Sequence, residues 1–159
     1  VEPKLVCAAR DVTKLAASQN CKIVLPVDVV CAQKLEQDAP STTFEATRVP
    51  PDQMVLDVGP KTIEALSEII GSSRTLLWNG PLGAFETRPF QRGTTAVARI
   101  AAEATKRGRI ITVAGGGDTV AALNAAGVSN RFTYLSTAGG AFLEWLEGRT
   151  LPGVAALMN

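Results

Sequence analysis

Histidine is absent from the 159-residue chain. That absence excludes Ser-His and Cys-His nucleophile pairs, His-ligated zinc and a histidine general base within these residues. Aromatic residues are scarce at 5%, so platforms for base stacking are lacking. Neither sign of charge is in excess: sixteen basic residues face fifteen acidic ones. An even balance argues against nucleic-acid or membrane-surface binding, which calls for a basic face. No apolar run reaches the roughly 18 residues of a membrane span. The chemistry left to this chain must run on carboxylates, amides, hydroxyls and positioning.

Three cysteines, Cys7, Cys21 and Cys31, stand far apart with no CxxC pair. An odd, unpaired set reads as a reducing, cytosolic setting with buried or inert thiols. The opening Val-Glu-Pro-Lys resembles no signal peptide. It does not resemble a native start either, because Met is missing and a helical pattern begins almost at once.

What is present is an alternation of strand and helix signals. Leu5, Ala8, Ala9, Val12, Leu15 and Ala16 recur at helical spacing and predict a helix over Pro3–Ser18. Lys22–Val30 is a β-rich apolar run, with Pro26 weakening its far end. Residues 38–53 form a long connection with an edge ribbon expected around Thr43–Arg48, and Met54–Val58 is extended. Ile63, Leu66, Ile69 and Ile70 mark a helix that Gly71 is expected to end. Strands are expected at Thr75–Trp78, Arg109–Val113 and Phe132–Leu135. They are followed by helices over Gly93–Arg107, through Ala126 and through Glu147. Such βαβ spacing predicts an α/β fold with a parallel sheet.

Three of these strands end in glycine-rich turns: Asn79-Gly80-Pro81-Leu82-Gly83, Gly115-Gly116-Gly117-Asp118-Thr119 and Thr137-Ala138-Gly139-Gly140. In a parallel sheet all three lie along the carboxyl ends of the strands, where open α/β sheets bind ligands. Glycine lets backbone N–H groups approach a phosphate, and the following helix adds donors and a positive dipole end. A tight turn capped by Asp118 or Thr119 is the structural alternative. Three consecutive glycines beside two sister turns favour the anion. A carboxylate next to phosphates calls for a bridging cation, so Asp118 is either a Mg²⁺ ligand or an N-cap. Asn79 either reaches a phosphate oxygen or stabilises its turn. Glu86 either accepts ribose hydroxyls or is merely solvated. Lys61 is open between surface and ligand. Asp28 is expected to satisfy backbone donors at its strand end, and Phe142 and Trp145 are expected in the core. No GxxxxGK[ST] is present, and GxGxxG fails at its third glycine, which disfavours a Walker P-loop and an NAD oxidoreductase.

These residues resemble the signatures of the phosphoglycerate kinase family. Trp78-Asn79-Gly80-Pro81-Leu82-Gly83-Ala84-Phe85-Glu86 is similar to its WNGP…FE segment and Gly115–Thr119 to its GGGDT loop. Ser136-Thr137-Ala138-Gly139-Gly140-Ala141 resembles its STGGGA loop. Pro26-Val27-Asp28-Val29, Asp57-Val58-Gly59-Pro60-Lys61-Thr62 and Leu151-Pro152-Gly153-Val154 also stand in family order. The resemblance implies a Rossmann-like three-layer αβα fold and a cytoplasmic glycolytic enzyme. That enzyme transfers a phosphoryl group reversibly between 1,3-bisphosphoglycerate and ADP, giving 3-phosphoglycerate and ATP, with Mg²⁺. It implies that Gly116, Gly117, Asp118 and Thr119 bind the nucleotide phosphates, with Asp118 on the metal and Asn79 near the phosphates. Glu86 would hold the ribose, and Pro81 would line the nucleoside pocket. Gly139 and Gly140 would offer N–H groups to the transferred phosphoryl. Such a reaction suits a chain without histidine, because phosphoryl transfer rests on positioning and charge stabilisation.

The resemblance covers the C-terminal, nucleotide-binding domain over 1–159 and only part of it. The phosphoglycerate-binding domain and the early strands of the nucleotide domain are not in this sequence. The chain is therefore expected to be an incomplete piece of a monomeric protein, with two unpaired sheet edges and no activity alone. Val55 stands where the family often has glycine, which would narrow the adenine pocket, and Ala138 replaces the middle glycine of the last loop. A non-catalytic Rossmann-like nucleotide-binding module is the alternative.

Overall fold

The structure is a computed structural model that describes residues 5–136 and 140–157. It holds two small sheets. One is antiparallel, in the order β2-β1-β3, from β1 (Asp28–Ala32), β2 (Thr42–Glu45) and β3 (Met54–Val58). The other is parallel, in the order β4-β5-β6, from β4 (Thr75–Asn79), β5 (Ile111–Gly115) and β6 (Tyr134–Ser136). The helices are α1 (Leu5–Ser18), α2 (Pro60–Ser72), α3 (Arg92–Lys106), α4 (Gly117–Ala125), α5 (Gly140–Leu146) and α6 (Pro152–Ala155).

The parallel half matches the sequence expectation of a Rossmann-like α/β arrangement with an incomplete sheet. Its core gathers Trp78 and Ala114 from the strands, Val97, Ala98, Ala101 and Ala102 from α3, and Leu123 from α4. The alanine face of α3 lets that helix lie close to β5, and Ala98, Ala101 and Ala102 are fully enclosed. The Trp78 ring meets the Phe132 ring edge-on at 6.2 Å. A second, smaller cluster of Ala32, Leu56 and Phe90 joins the antiparallel sheet to the segment entering α3.

Several expectations need correction. The strand predicted at Lys22–Val30 is instead β1, Asp28–Ala32, and β1 pairs antiparallel with both neighbours. Among the described residues, 22–26 joins no ladder. Pro26 has no N–H, and the Val27 and Asp28 amides donate to the Thr62 hydroxyl, not to a strand. Gly71 does not end α2, which runs on to Ser72. There the hydroxyls of Ser72 and Ser73 both donate to the Ile69 carbonyl, and the Ser73 amide donates to Ile70. Serines satisfy carbonyls that a left-handed glycine would otherwise have served. Trp145 is 58% exposed, not a core residue, and the side chain of Phe142 lies outside the described residues. Of the three thiols only Cys31 is buried; Cys7 and Cys21 are exposed.

The edges match the expectation of an open sheet. α1 buries none of its residues, and Leu5, Val12 and Leu15 are exposed. Among the described residues β4 is paired on one side only, by β5.

Candidate functional site

The ladder registers fix where the turns fall. Asn79 stands opposite Gly115, and Gly115 stands opposite Ser136. Strands β4, β5 and β6 therefore finish level with one another, and the turns after β4 and β5 open from the same rim. β6 ends at Ser136 on that rim, and residues 137–139, including Gly139 of the third turn, lie outside the described residues. Gly140 is exposed as the first residue of α5.

Gly116 is the hinge of the central turn. Its φ of +99° suits glycine and strains any residue carrying a Cβ. An added Cβ would come within 3.4 Å of the Thr119 Oγ1 and 3.6 Å of the Asn79 Oδ1. The Asn79 amide thus sits against the glycine turn. Thr119 is buried, and its hydroxyl accepts a 2.7 Å hydrogen bond from the Gly80 amide, which ties the first turn to the second. Gly80, with φ +85°, is the corresponding left-handed position of the first turn. The Trp78 indole N–H donates to the Gly80 carbonyl at 2.6 Å.

Of the two roles expected for Asp118, Mg²⁺ ligand or N-cap, the N-cap is not found. The N-cap of α4 is Gly116, and no side chain caps it. Asp118 lies in the first helical turn and is exposed beside Gly117. A lone accessible carboxylate fits a cation that takes its remaining oxygens from phosphate and water. The described residues contain no cluster of three metal-binding side chains that would hold such an ion by themselves.

Pro81 lines a cavity of about 370 Å³ between the antiparallel sheet and the turn after β4, with Val55, Leu56, Leu82, Gly83 and Ala84. Val55 lines this cavity and is 56% exposed. The turn is pinned from below. Ala84 donates to the Leu56 carbonyl at 2.8 Å, and Leu82 donates to the Thr94 hydroxyl at 3.0 Å. Glu86 follows in the same segment, exposed between half-buried Phe85 and Thr87.

Two buried carboxylates frame this region. Asp57 accepts from its neighbour Val58 and, at 2.7 Å, from the Gly93 amide in the first turn of α3. Burial pushes the Asp57 carboxyl up, against the pull of those two amides. Asp28 behaves oppositely. Burial pushes it up, yet the Thr62 hydroxyl, the Thr62 and Lys61 amides and the Lys61 charge together hold it below the ordinary carboxylate range. Asp28 thus caps α2 from 34 residues away; the backbone donors it satisfies are those of a helix start, not those of its own strand end as expected. Lys61 itself is exposed at the start of α2.

Sequence reasoning missed Thr62, Thr94, Asp57 and Gln37, each of which holds part of this frame. A threonine two places after Pro60 was a usable sign of a helix start; Asp57 and Gln37 act on partners 36 to 51 residues away, and Thr94 on Leu82, 12 residues back in the chain.

The assembly is a Rossmann-like α/β unit whose candidate site lies at the carboxyl rim of its parallel strands. The family model for phosphoglycerate kinase matches residues 1–149. The chain is 60% identical over 156 residues to a phosphoglycerate kinase from Dinoroseobacter shibae, covering 98% of this chain and 40% of that protein. It is 58% identical over 149 residues to one from Cereibacter sphaeroides, covering 94% and 38%. The structure of phosphoglycerate kinase from Coxiella burnetii superposes with a TM-score of 0.89 at 39% identity, over 97% of this chain and 39% of that one. That from Pyrococcus horikoshii gives 0.78 at 26% identity, over 98% and 37%. The chain belongs to the phosphoglycerate kinase family. It spans about 40% of the length of the relatives it matches.

Proposed function

We propose that residues 1–159 are the nucleotide-binding part of a phosphoglycerate kinase. The whole protein would transfer a phosphoryl group reversibly between 1,3-bisphosphoglycerate and ADP, the acceptor in the ATP-consuming direction being the carboxyl group of 3-phosphoglycerate. The observation that carries this reading is the level finish of β4, β5 and β6, with an exposed Asp118 just past the Gly116 hinge.

In this reading the backbone amides of Gly116 and Gly117 receive the nucleotide phosphates at the N-terminus of α4, with the Asn79 amide beside them. Thr119 keeps the two turns in register through Gly80. Pro81 and its apolar neighbours enclose the base, and the Glu86 carboxylate accepts the ribose hydroxyls. Asp118 would hold Mg²⁺, which when bound neutralises charge on the phosphate oxygens. Gly139 and Gly140 would present N–H groups to the phosphoryl in transit. The phosphoglycerate would come from a part of the protein outside this sequence, in a monomeric cytoplasmic enzyme. Residues 1–159 by themselves would bind nucleotide at best.

Calorimetric titration of Mg·ADP, with and without the metal, tests the reading on wild type and Asp118→Ala. Metal-dependent binding that the substitution abolishes supports it. Binding indifferent to Mg²⁺ supports a non-catalytic nucleotide module instead. ATP formation from 1,3-bisphosphoglycerate by residues 1–159 alone would refute the division of labour.

A further inference from the structure

We propose that Gln37 is a positioning residue for the ribose contact, acting through the backbone on either side of Glu86. The segment 84–90 is anchored at its two ends. Ala84 is hydrogen-bonded to β3, and Phe90 is fully buried in the smaller core. Between those anchors Glu86 and Arg88 are exposed, while Phe85, Thr87 and Pro89 are half-buried. The cross-chain hydrogen bonds described there come from Gln37 and Asp38, in the connection between β1 and β2. The Gln37 Nε2 donates to the Glu86 carbonyl at 3.3 Å, and the Gln37 Oε1 accepts from the Arg88 amide at 3.1 Å. The Asp38 amide then donates to the Arg88 carbonyl at 2.8 Å.

One side chain therefore reads both a donor and an acceptor of the backbone, as a neighbouring strand would. A carboxamide is the terminal group suited to this, because it carries a donor and an acceptor side by side. Asp38 adopts φ +55°, a left-handed conformation that aspartate tolerates better than most residues. The bend brings the 37–38 pair to face the 86–88 backbone. An exposed carboxylate has no packing of its own to fix it, so the backbone clamp determines where Glu86 presents its oxygens. Positioning of this kind acts on the contact Glu86 makes, while the glycine turns of the same rim are tied by Thr119 through Gly80.

The proposal rests on Glu86 as the ribose-binding group, and the test separates the two. Affinities of Mg·ADP and Mg·2′,3′-dideoxyADP are measured by calorimetry on the intact protein for wild type, Glu86→Ala, Gln37→Ala and the double variant. Wild type is expected to favour the ribose form about tenfold, and Glu86→Ala to erase that preference. Gln37→Ala is expected to cut the preference about fivefold with little change for the dideoxy nucleotide, and to add nothing in the Glu86→Ala background. Gln37→Glu keeps the size and the acceptor but loses the donor, and is expected to fall between. It also serves if Gln37→Ala fails to fold. A wild type without ribose preference, or one that Glu86→Ala leaves intact, overturns the Glu86 assignment and this proposal with it. A preference that needs Glu86 but survives Gln37→Ala overturns the proposal alone, as does an equal loss for both nucleotides or an additive double variant.

Discussion

Two glycines sit inside helices with ordinary backbone angles, and the structure predicts opposite responses when each becomes alanine. Gly71, in the last turn of α2, has nothing within 4 Å of where a Cβ would stand. Alanine there gains helix propensity and should stabilise the protein by about 0.5–1 kcal/mol. Gly93, in the first turn of α3, would gain the same propensity, but its Cβ would fall against the Asp57 carboxylate and 2.6 Å from the Val58 Cγ2. Both atoms belong to buried residues at the end of β3, where there is no room to yield. Overpacking of this kind costs about 1–3 kcal/mol. Displacing the carboxylate also weakens the 2.7 Å bond that the Gly93 amide donates to it, and a hydrogen bond to a charged group is worth about 1.5–3 kcal/mol. With the propensity gain of about 1 kcal/mol subtracted, Gly93→Ala should destabilise by about 1.5–5 kcal/mol. Urea denaturation of both variants beside wild type measures the difference. A Gly93→Ala protein as stable as Gly71→Ala would refute the close packing of Asp57 against α3.

Thr119→Val keeps the shape but removes the acceptor for the Gly80 amide. It should cost about 1 kcal/mol in thermal unfolding and weaken ADP binding severalfold. Asp118→Ala should leave stability within about 0.5 kcal/mol, because the side chain is exposed, while Mg²⁺-dependent affinity falls by about tenfold or more in calorimetry. Asp28 has its carboxyl held down in the folded state. Its stabilisation is therefore present above the ordinary carboxylate range and is lost as pH falls through the lowered value. Asp28→Asn should accordingly lower the melting temperature at pH 7 and flatten its decline on acidification; an unchanged acid limb would show that Asp28 carries no such linkage.

The parallel half was legible because each of its strands is an apolar run followed by a glycine turn and a helical period. The sequence stopped those strands at Trp78, Val113 and Leu135, their last large apolar residues. The ladders continue through Asn79, Gly115 and Ser136, because backbone pairing needs no apolar side chain. The antiparallel half was less legible. Lys22–Val30 has the composition of one strand, yet its first half finds no ladder among the described residues, and its amides at 27 and 28 turn to Thr62. At the candidate site, Gly80 and Gly116 were visible because their turn geometry demands glycine, and Asp118 because a carboxylate among glycine-rich turns is conspicuous. The tie from Gly80 to Thr119 and the clamp of Gln37 were not, because each joins residues 39 to 51 apart through a single polar side chain.

Amide chemical shifts offer the most direct view of where a nucleotide docks. Titration of Mg·ADP into the labelled protein is predicted to move the resonances of Asn79, Gly80 and Gly115–Thr119 together, with a single saturation curve. Shifts confined to the far ends of β4 and β5, around Arg74 and Arg109, with the glycine turns silent, would contradict the assignment of this rim as the phosphate-binding edge.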